Sequence, residues 1–116
     1  MAWMSTKVLT RSDINEGRVY LPEELAGRFG VPNGTQVSVC GPQMNNIWQM
    51  KFITRADGRS YLGRAWGEFV ERKGLREGET VDFYDLGHIG ANGERLFRIE
   101  RRGVGFDLNE PAPDNY

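Results

Sequence analysis

In three stretches of this chain apolar residues fall on every second position. Val37 and Val39 alternate with Gln36 and Ser38, Trp48, Met50 and Phe52 with Gln49 and Lys51, and Val81 and Phe83 with Asp82 and Tyr84. A period of two puts successive side chains on opposite faces of a strand, so each stretch offers one face to a core and one to water. Antiparallel sheets show that one-sided burial, whereas parallel sheets are covered on both faces. Shorter β-like runs at Lys7–Thr10, Val19–Leu21 and Ser60–Leu62, with a last one over Arg95–Arg101, bring the strands to seven. Turn-forming residues separate them: the Gly41–Asn46 loop, Asp57-Gly58, and a hairpin tip over Gly87–Gly93 that contains Asn92-Gly93.

Two segments replace the alternation with helical spacing. Pro22 opens the first as its first helical residue, with Glu23 and Glu24 where the helix dipole favours carboxylates; Leu25 and Phe29 share a face before Gly30 and Pro32 end it. The second runs from Arg64 or Ala65 to Lys73. There Trp66, Phe69 and Val70 face inward, Glu68, Glu71 and Arg72 face outward, and Gly74 is the stop. Strands with two short helices inserted predict a mainly β, mostly antiparallel and barrel-like fold. Trp48 and Trp66 are expected in its core, while Trp3 stands ahead of it.

At 116 residues the chain is one domain, large enough to bury a core without disulfides or a metal. Cys40 is the sole cysteine and His88 the sole histidine, which excludes an internal disulfide, a zinc finger and a haem-attachment site. No run nears the roughly twenty apolar residues of a membrane span. Met1–Thr10 carries a lysine and no apolar run of signal-peptide length, so an intracellular domain is the expectation. Catalytic constellations are not evident. His88 sits in the glycine-flanked hairpin tip, Cys40 ends a strand without a cationic sequence neighbour, and the pairs Glu23/Glu24, Glu68/Glu71 and Glu77/Glu79 read as solvated surface. GxSxG, HExxH, Walker-type and dinucleotide-binding glycine patterns do not occur. The expectation is a protein without catalysis, cofactor, metal or small-molecule substrate.

The net charge of −1 hides an asymmetry. Gly103–Tyr116 holds Asp107, Glu110 and Asp114 and no cation, leaving residues 1–102 with 15 cations against 13 carboxylates. Lys51, Arg55, Arg59 and Arg64 stand against Asp57 alone in one stretch, and 12 of the 15 cations are arginine, whose planar fork suits phosphates and guanine edges. Two polar, arginine-bearing loops, Arg11–Arg18 and Thr54–Arg64, leave the strands. Two such arms can straddle a duplex, with arginine and asparagine reading base edges in the major groove while lysines and hydroxyls fix the phosphates. A solvated face would carry the same charge.

The series KVLTRSDI (Lys7–Ile14), RVYLPEELA (Arg18–Ala26), IWQMKF (Ile47–Phe52), SYLGRAWGEFVERKGLREGETVDFY (Ser60–Tyr84) and RLFRIERR (Arg95–Arg102) resembles, block by block, the plant B3 DNA-binding domain. The resemblance spans Lys7–Arg102, leaving residues 1–6 as an N-terminal extension and 103–116 as a mobile acidic tail. It implies a seven-stranded open β-barrel, a pseudobarrel with two short helices, that clasps the major groove of double-stranded DNA between an N-arm at Thr10–Arg18 and a C-arm at Ile53–Ser60. Carried onto this sequence, the DNA-facing groups would be Thr10, Arg11, Ser12, Asn15 and Arg18 in the N-arm and Arg55, Arg59 and Ser60 in the C-arm. Lys7, Lys51 and Arg64 would be cations near the DNA backbone, and Asp13 would order the N-arm by accepting backbone hydrogen bonds. Many members carry a tyrosine-tryptophan pair in the C-arm, where this chain has the shorter Thr54-Arg55-Ala56-Asp57-Gly58.

In the tail, Phe106-Asp107-Leu108-Asn109-Glu110-Pro111 resembles the plant repression motif of the aspartate-leucine-asparagine type. That would make Asp107, Leu108 and Asn109 corepressor-binding residues, although a linker has the same composition. The expectation for the whole is a sequence-specific DNA-binding module of a plant transcription regulator, acting in the nucleus. The alternative is a B3-like protein-interaction or dimerisation module with little DNA affinity.

Overall fold

The structure is a computed structural model that describes residues 2–42, 46–89 and 94–102. Its elements are β1 (Ala2–Val8), α1 (Arg11–Asn15), β2 (Val19–Leu21), α2 (Glu23–Phe29), β3 (Thr35–Cys40), β4 (Ile47–Thr54), β5 (Ser60–Arg64), α3 (Trp66–Lys73), β6 (Thr80–Ile89) and β7 (Glu94–Arg101). All seven strands belong to one sheet in the order β1-β6-β7-β3-β4-β5-β2. Neighbours run antiparallel except β3 and β7, which run parallel. The sheet coils into a nearly closed barrel whose two edges are β1 and β2.

The period-two stretches supply its interior. Val37 pairs with Met50 and Val39 with Trp48, and these four join Phe52, Val81, Phe83, Phe97 and Ile99 in one buried cluster. The helices fill what the strands leave open. On α2, Phe29 is fully buried with its ring 4.4 Å from Phe97 and 5.6 Å from Phe52. On α3, Trp66, Phe69 and Val70 are buried as their spacing predicts, and Phe69 meets Trp48 edge-on at 5.0 Å. Gly74 ends that helix at φ +64°, a left-handed conformation that costs a glycine little. Cys40 is buried, and burial pushes its thiol up against the opposing pull of Arg98.

Several local boundaries differ from the sequence reading. The first strand starts at Ala2 rather than Lys7, because Met4 reaches the core and the Trp3 indole donates to Asp82 Oδ1 at 3.0 Å. Within the Arg11–Arg18 loop, Arg11–Asn15 is a third short helix. Its signal is a reciprocal cap: Asp13 N–H donates to Thr10 Oγ1, and Asp13 Oδ2 accepts from Thr10 N–H. Pro22 is the N-cap of α2 rather than its first residue. Strand β6 runs on to Ile89 past an irregularity between Asp85 and Gly87, so His88 pairs in register with Arg95 instead of lying in a tip. Asn92-Gly93 lies outside the described residues.

Trp66 is both packing and polar anchor, since it is 0% exposed and its indole donates to the Asp13 carbonyl at 2.7 Å. Trp66→Ala is expected to destabilise the fold by about 3–5 kcal/mol. Urea unfolding checks this, and a loss below about 1 kcal/mol, the size of a surface substitution, would contradict the assignment.

Candidate nucleic-acid interface

The N-arm is held by a carboxylate with 1% exposure. A buried carboxylate is tolerated only when paired and hydrogen-bonded, and Asp13 has both. Lys7 Nζ lies 3.0 Å from Oδ2, which also accepts from Thr10 N–H at 2.8 Å, while Oδ1 accepts from Tyr20 N–H at 3.1 Å. Lys7 also donates to the Tyr20 carbonyl. Lys7 belongs to β1 and Tyr20 to β2, so this cluster bridges the two edge strands of the barrel while fixing α1 between them. The expected role of Asp13, ordering the arm through backbone N–H groups, is what the geometry shows.

The C-arm is a tight turn between β4 and β5. Arg55 N–H donates to the Arg59 carbonyl and Gly58 N–H to the Arg55 carbonyl, with Gly58 at φ +90°. Asp57 sits between the two arginines: Oδ1 accepts from Arg59 N–H at 3.0 Å, and Oδ2 lies 3.2 Å from Arg59 Nε and 3.8 Å from Arg55 Nε. The Arg59 backbone N–H foremost, with the two guanidinium groups adding to it, holds its carboxyl below the usual carboxylate range against the opposing desolvation.

The aromatic groups that the C-arm itself lacks come from the neighbouring strands. Tyr20 and Tyr61 are register partners on β2 and β5, with ring centroids 5.5 Å apart in an edge-to-face arrangement. Arg55 Nη1 donates to Tyr20 Oη at 2.7 Å, which raises the guanidinium above its usual range. Arg59 lies over the Tyr20 ring at 4.8 Å and Arg18 over the Tyr61 ring at 5.5 Å. Sequence reasoning missed both tyrosines as functional groups. The signal was there: Tyr20 alternates with the buried Val19 and Leu21, and Tyr61 with the buried Ser60 and Leu62, so both point away from the core.

Between the arms lies a cleft of about 390 Å³, lined by Lys7, Thr10, Ser12, Asp13, Glu16, Arg18, Tyr20, Arg55 and Arg59. It brings together Lys7, Thr10, Ser12, Arg18, Arg55 and Arg59 from the sequence-predicted set; four cations face the lining carboxylates Asp13 and Glu16 and Asp57 beside the two C-arm arginines, so the balance remains cationic. The other predicted residues lie elsewhere. Arg11 and Asn15 are exposed on α1, and Lys51 is half-buried on β4, opposite Gln36 and Gly63. Arg64 is exposed at the end of β5 at φ +64°, the one non-glycine residue with positive φ among the described residues. Ser60 is buried, its hydroxyl 3.0 Å from that of Thr54, so it braces the base of the C-arm. Asp107, Leu108 and Asn109 lie outside the described residues.

The profile of the family described as B3 DNA binding domain matches residues 5–103. The chain belongs to this family. Among relatives of the B3 domain, the transcription factor NGA4 of Arabidopsis thaliana is 31% identical over 87 residues, covering 70% of this chain and 26% of NGA4. The AP2/ERF and B3 domain-containing transcription factor RAV1, also of Arabidopsis thaliana, is 31% identical over 86 residues, covering 66% and 25%. The chain spans less than half the length of the curated relatives it matches. The Arabidopsis FUS3–DNA complex has the same fold, with a TM-score of 0.66 and 21% identity over 89% of this chain and 99% of that one. The Arabidopsis thaliana LEC2–DNA complex gives 0.65 and 22%, covering 89% and 95%.

In this B3 domain Asp13→Ala leaves the largely buried Lys7 without its counter-charge and orphans two backbone N–H groups. The expected loss is about 3–5 kcal/mol. Glu24→Ala, which breaks the solvent-exposed pair with Arg28, is expected to leave the unfolding transition in place. Denaturant midpoints of the two variants check this, and equal shifts would contradict it.

Proposed function

We propose that this B3 domain binds double-stranded DNA sequence-specifically by laying its two arms in the major groove, as the DNA-reading part of a plant transcription regulator in the nucleus. The observation that carries the reading is the convergence of both arms on one cationic cleft. Arg18 comes from the N-arm and Arg55 and Arg59 from the C-arm, and arginine forks suit guanine edges and phosphates. Family membership and the DNA complexes of FUS3 and LEC2 support the same partner. Arg11, Ser12 and Asn15 on the exposed side of α1 extend the proposed contact surface, and Lys51 and Arg64 are the proposed backbone cations. Buried Ser60 is proposed to act through Thr54 rather than by touching DNA. No catalytic step or cofactor enters this reading.

Selection of the purified domain on a random duplex library at about 100 mM salt is expected to enrich one motif. On that motif, affinity should fall with salt by about 0.9 log units per log unit for each phosphate neutralised. Arg55→Ala is expected to weaken binding about tenfold or more and to relax preference at one position, with unchanged melting. A folded domain that enriches no motif would overturn the reading in favour of a protein-interaction module.

A further inference from the structure

We propose that Tyr20 is a positioning residue that presets the Arg55 and Arg59 guanidinium groups for base recognition. The inference rests on the DNA reading above and adds to it a specificity-determining side chain outside both arms. Arginine reads a base with a planar fork, and a fork discriminates only when its orientation is fixed. The Arg55 and Arg59 side chains are 44% and 60% exposed, so burial does not fix them. Tyr20 holds each by a different part of its structure. Its hydroxyl accepts from Arg55 Nη1 at 2.7 Å, and its ring face lies 4.8 Å from the Arg59 guanidinium carbon.

Tyr20 is itself anchored at three points. Its N–H donates to Asp13 Oδ1, its carbonyl accepts from Lys7, and its ring packs edge-to-face on Tyr61. The anchor of the N-arm is therefore also the anchor of the residue that orients the C-arm arginines. Ordering these side chains before binding removes part of the entropy that a mobile arginine would lose on the duplex. Asp57 contributes to Arg59, but it lies 3.8 Å from Arg55 Nε against 2.7 Å for the tyrosine contact, so Tyr20 is the principal hold on Arg55.

Tyr20→Phe separates the two holds, because it deletes the hydroxyl and keeps the ring. In the free protein, heteronuclear NOEs of the arginine Nε–H groups are expected to show Arg55 ordered in the wild type and mobile in Tyr20→Phe, with Arg59 unchanged. On the selected duplex, Tyr20→Phe should lower discrimination at the position read by Arg55 by about three- to tenfold, the effect of one hydrogen bond. The salt slope and the melting temperature should stay as they are. In an Arg55→Ala background the same substitution should change nothing further. Equal Arg55 mobility in wild type and Tyr20→Phe, or additive losses in the double variant, would overturn the proposal. A domain that binds no duplex defeats the DNA reading instead, and the NOE comparison then decides alone whether Tyr20 holds Arg55.

Discussion

The barrel and its N-arm depend on the buried contact between Lys7 and Asp13. A seven-stranded sheet with β1 and β2 as its edges has a seam, and at the Lys7 end that seam is crossed by a lysine on β1 that reaches the Tyr20 carbonyl on β2. A lysine with 11% side-chain exposure needs a counter-charge, which comes from Asp13 of α1, lying between those strands in sequence. Removing either partner would leave the other desolvated, a far larger penalty than the loss of an exposed ion pair. The same carboxylate caps α1 and accepts from Tyr20, while the Asp13 carbonyl accepts from Trp66 on α3. One residue thus couples barrel edge, arm and helix.

That coupling explains how a domain with so little net charge presents a cationic surface. The cations of β7 are committed elsewhere: Arg95 to Asp85, Arg98 to Glu100 and Arg101 to Glu79, each in a half-buried pair. In the cleft, by contrast, guanidinium groups are spread over tyrosine rings and share carboxylates, so their charge is held in place without being fully neutralised. Spatial concentration rather than the total decides the field at the arms.

Much of this was legible in the residues. Alternation at Val37/Val39, Trp48/Met50/Phe52 and Val81/Phe83 marked the core-facing side chains, whereas Ser38 and Asp82 on the opposite faces, expected to meet water, are buried under side-chain hydrogen bonds to Gln49 and Glu94 and from Trp3 and Arg102. The spacing of Trp66, Phe69 and Val70 marked the buried face of α3. The helical turn at Arg11–Asn15 was hidden by its polarity, although the threonine and aspartate three residues apart were its capping signal. Ser60 entered the expected contact set through the B3 resemblance; its burial depends on the pairing of β5 with β2 and β4, which a single sequence does not display. Tyr20 and Tyr61 lie 41 positions apart, and only strand register makes them neighbours. The match to the B3 family reached the arms and could not reach this pairing, which lies outside the expected contact set.

The claim that both arms form one DNA-reading cleft is tested most directly by titrating the isotopically labelled domain with the selected duplex and following backbone amide shifts. The expected result is a single cluster of shifts over Thr10–Arg18 and Arg55–Tyr61, with both arms responding at the same duplex concentration. Shifts confined to the outer faces of β3 and β4 at Gln36 and Gln49, with the arms unmoved, would contradict it.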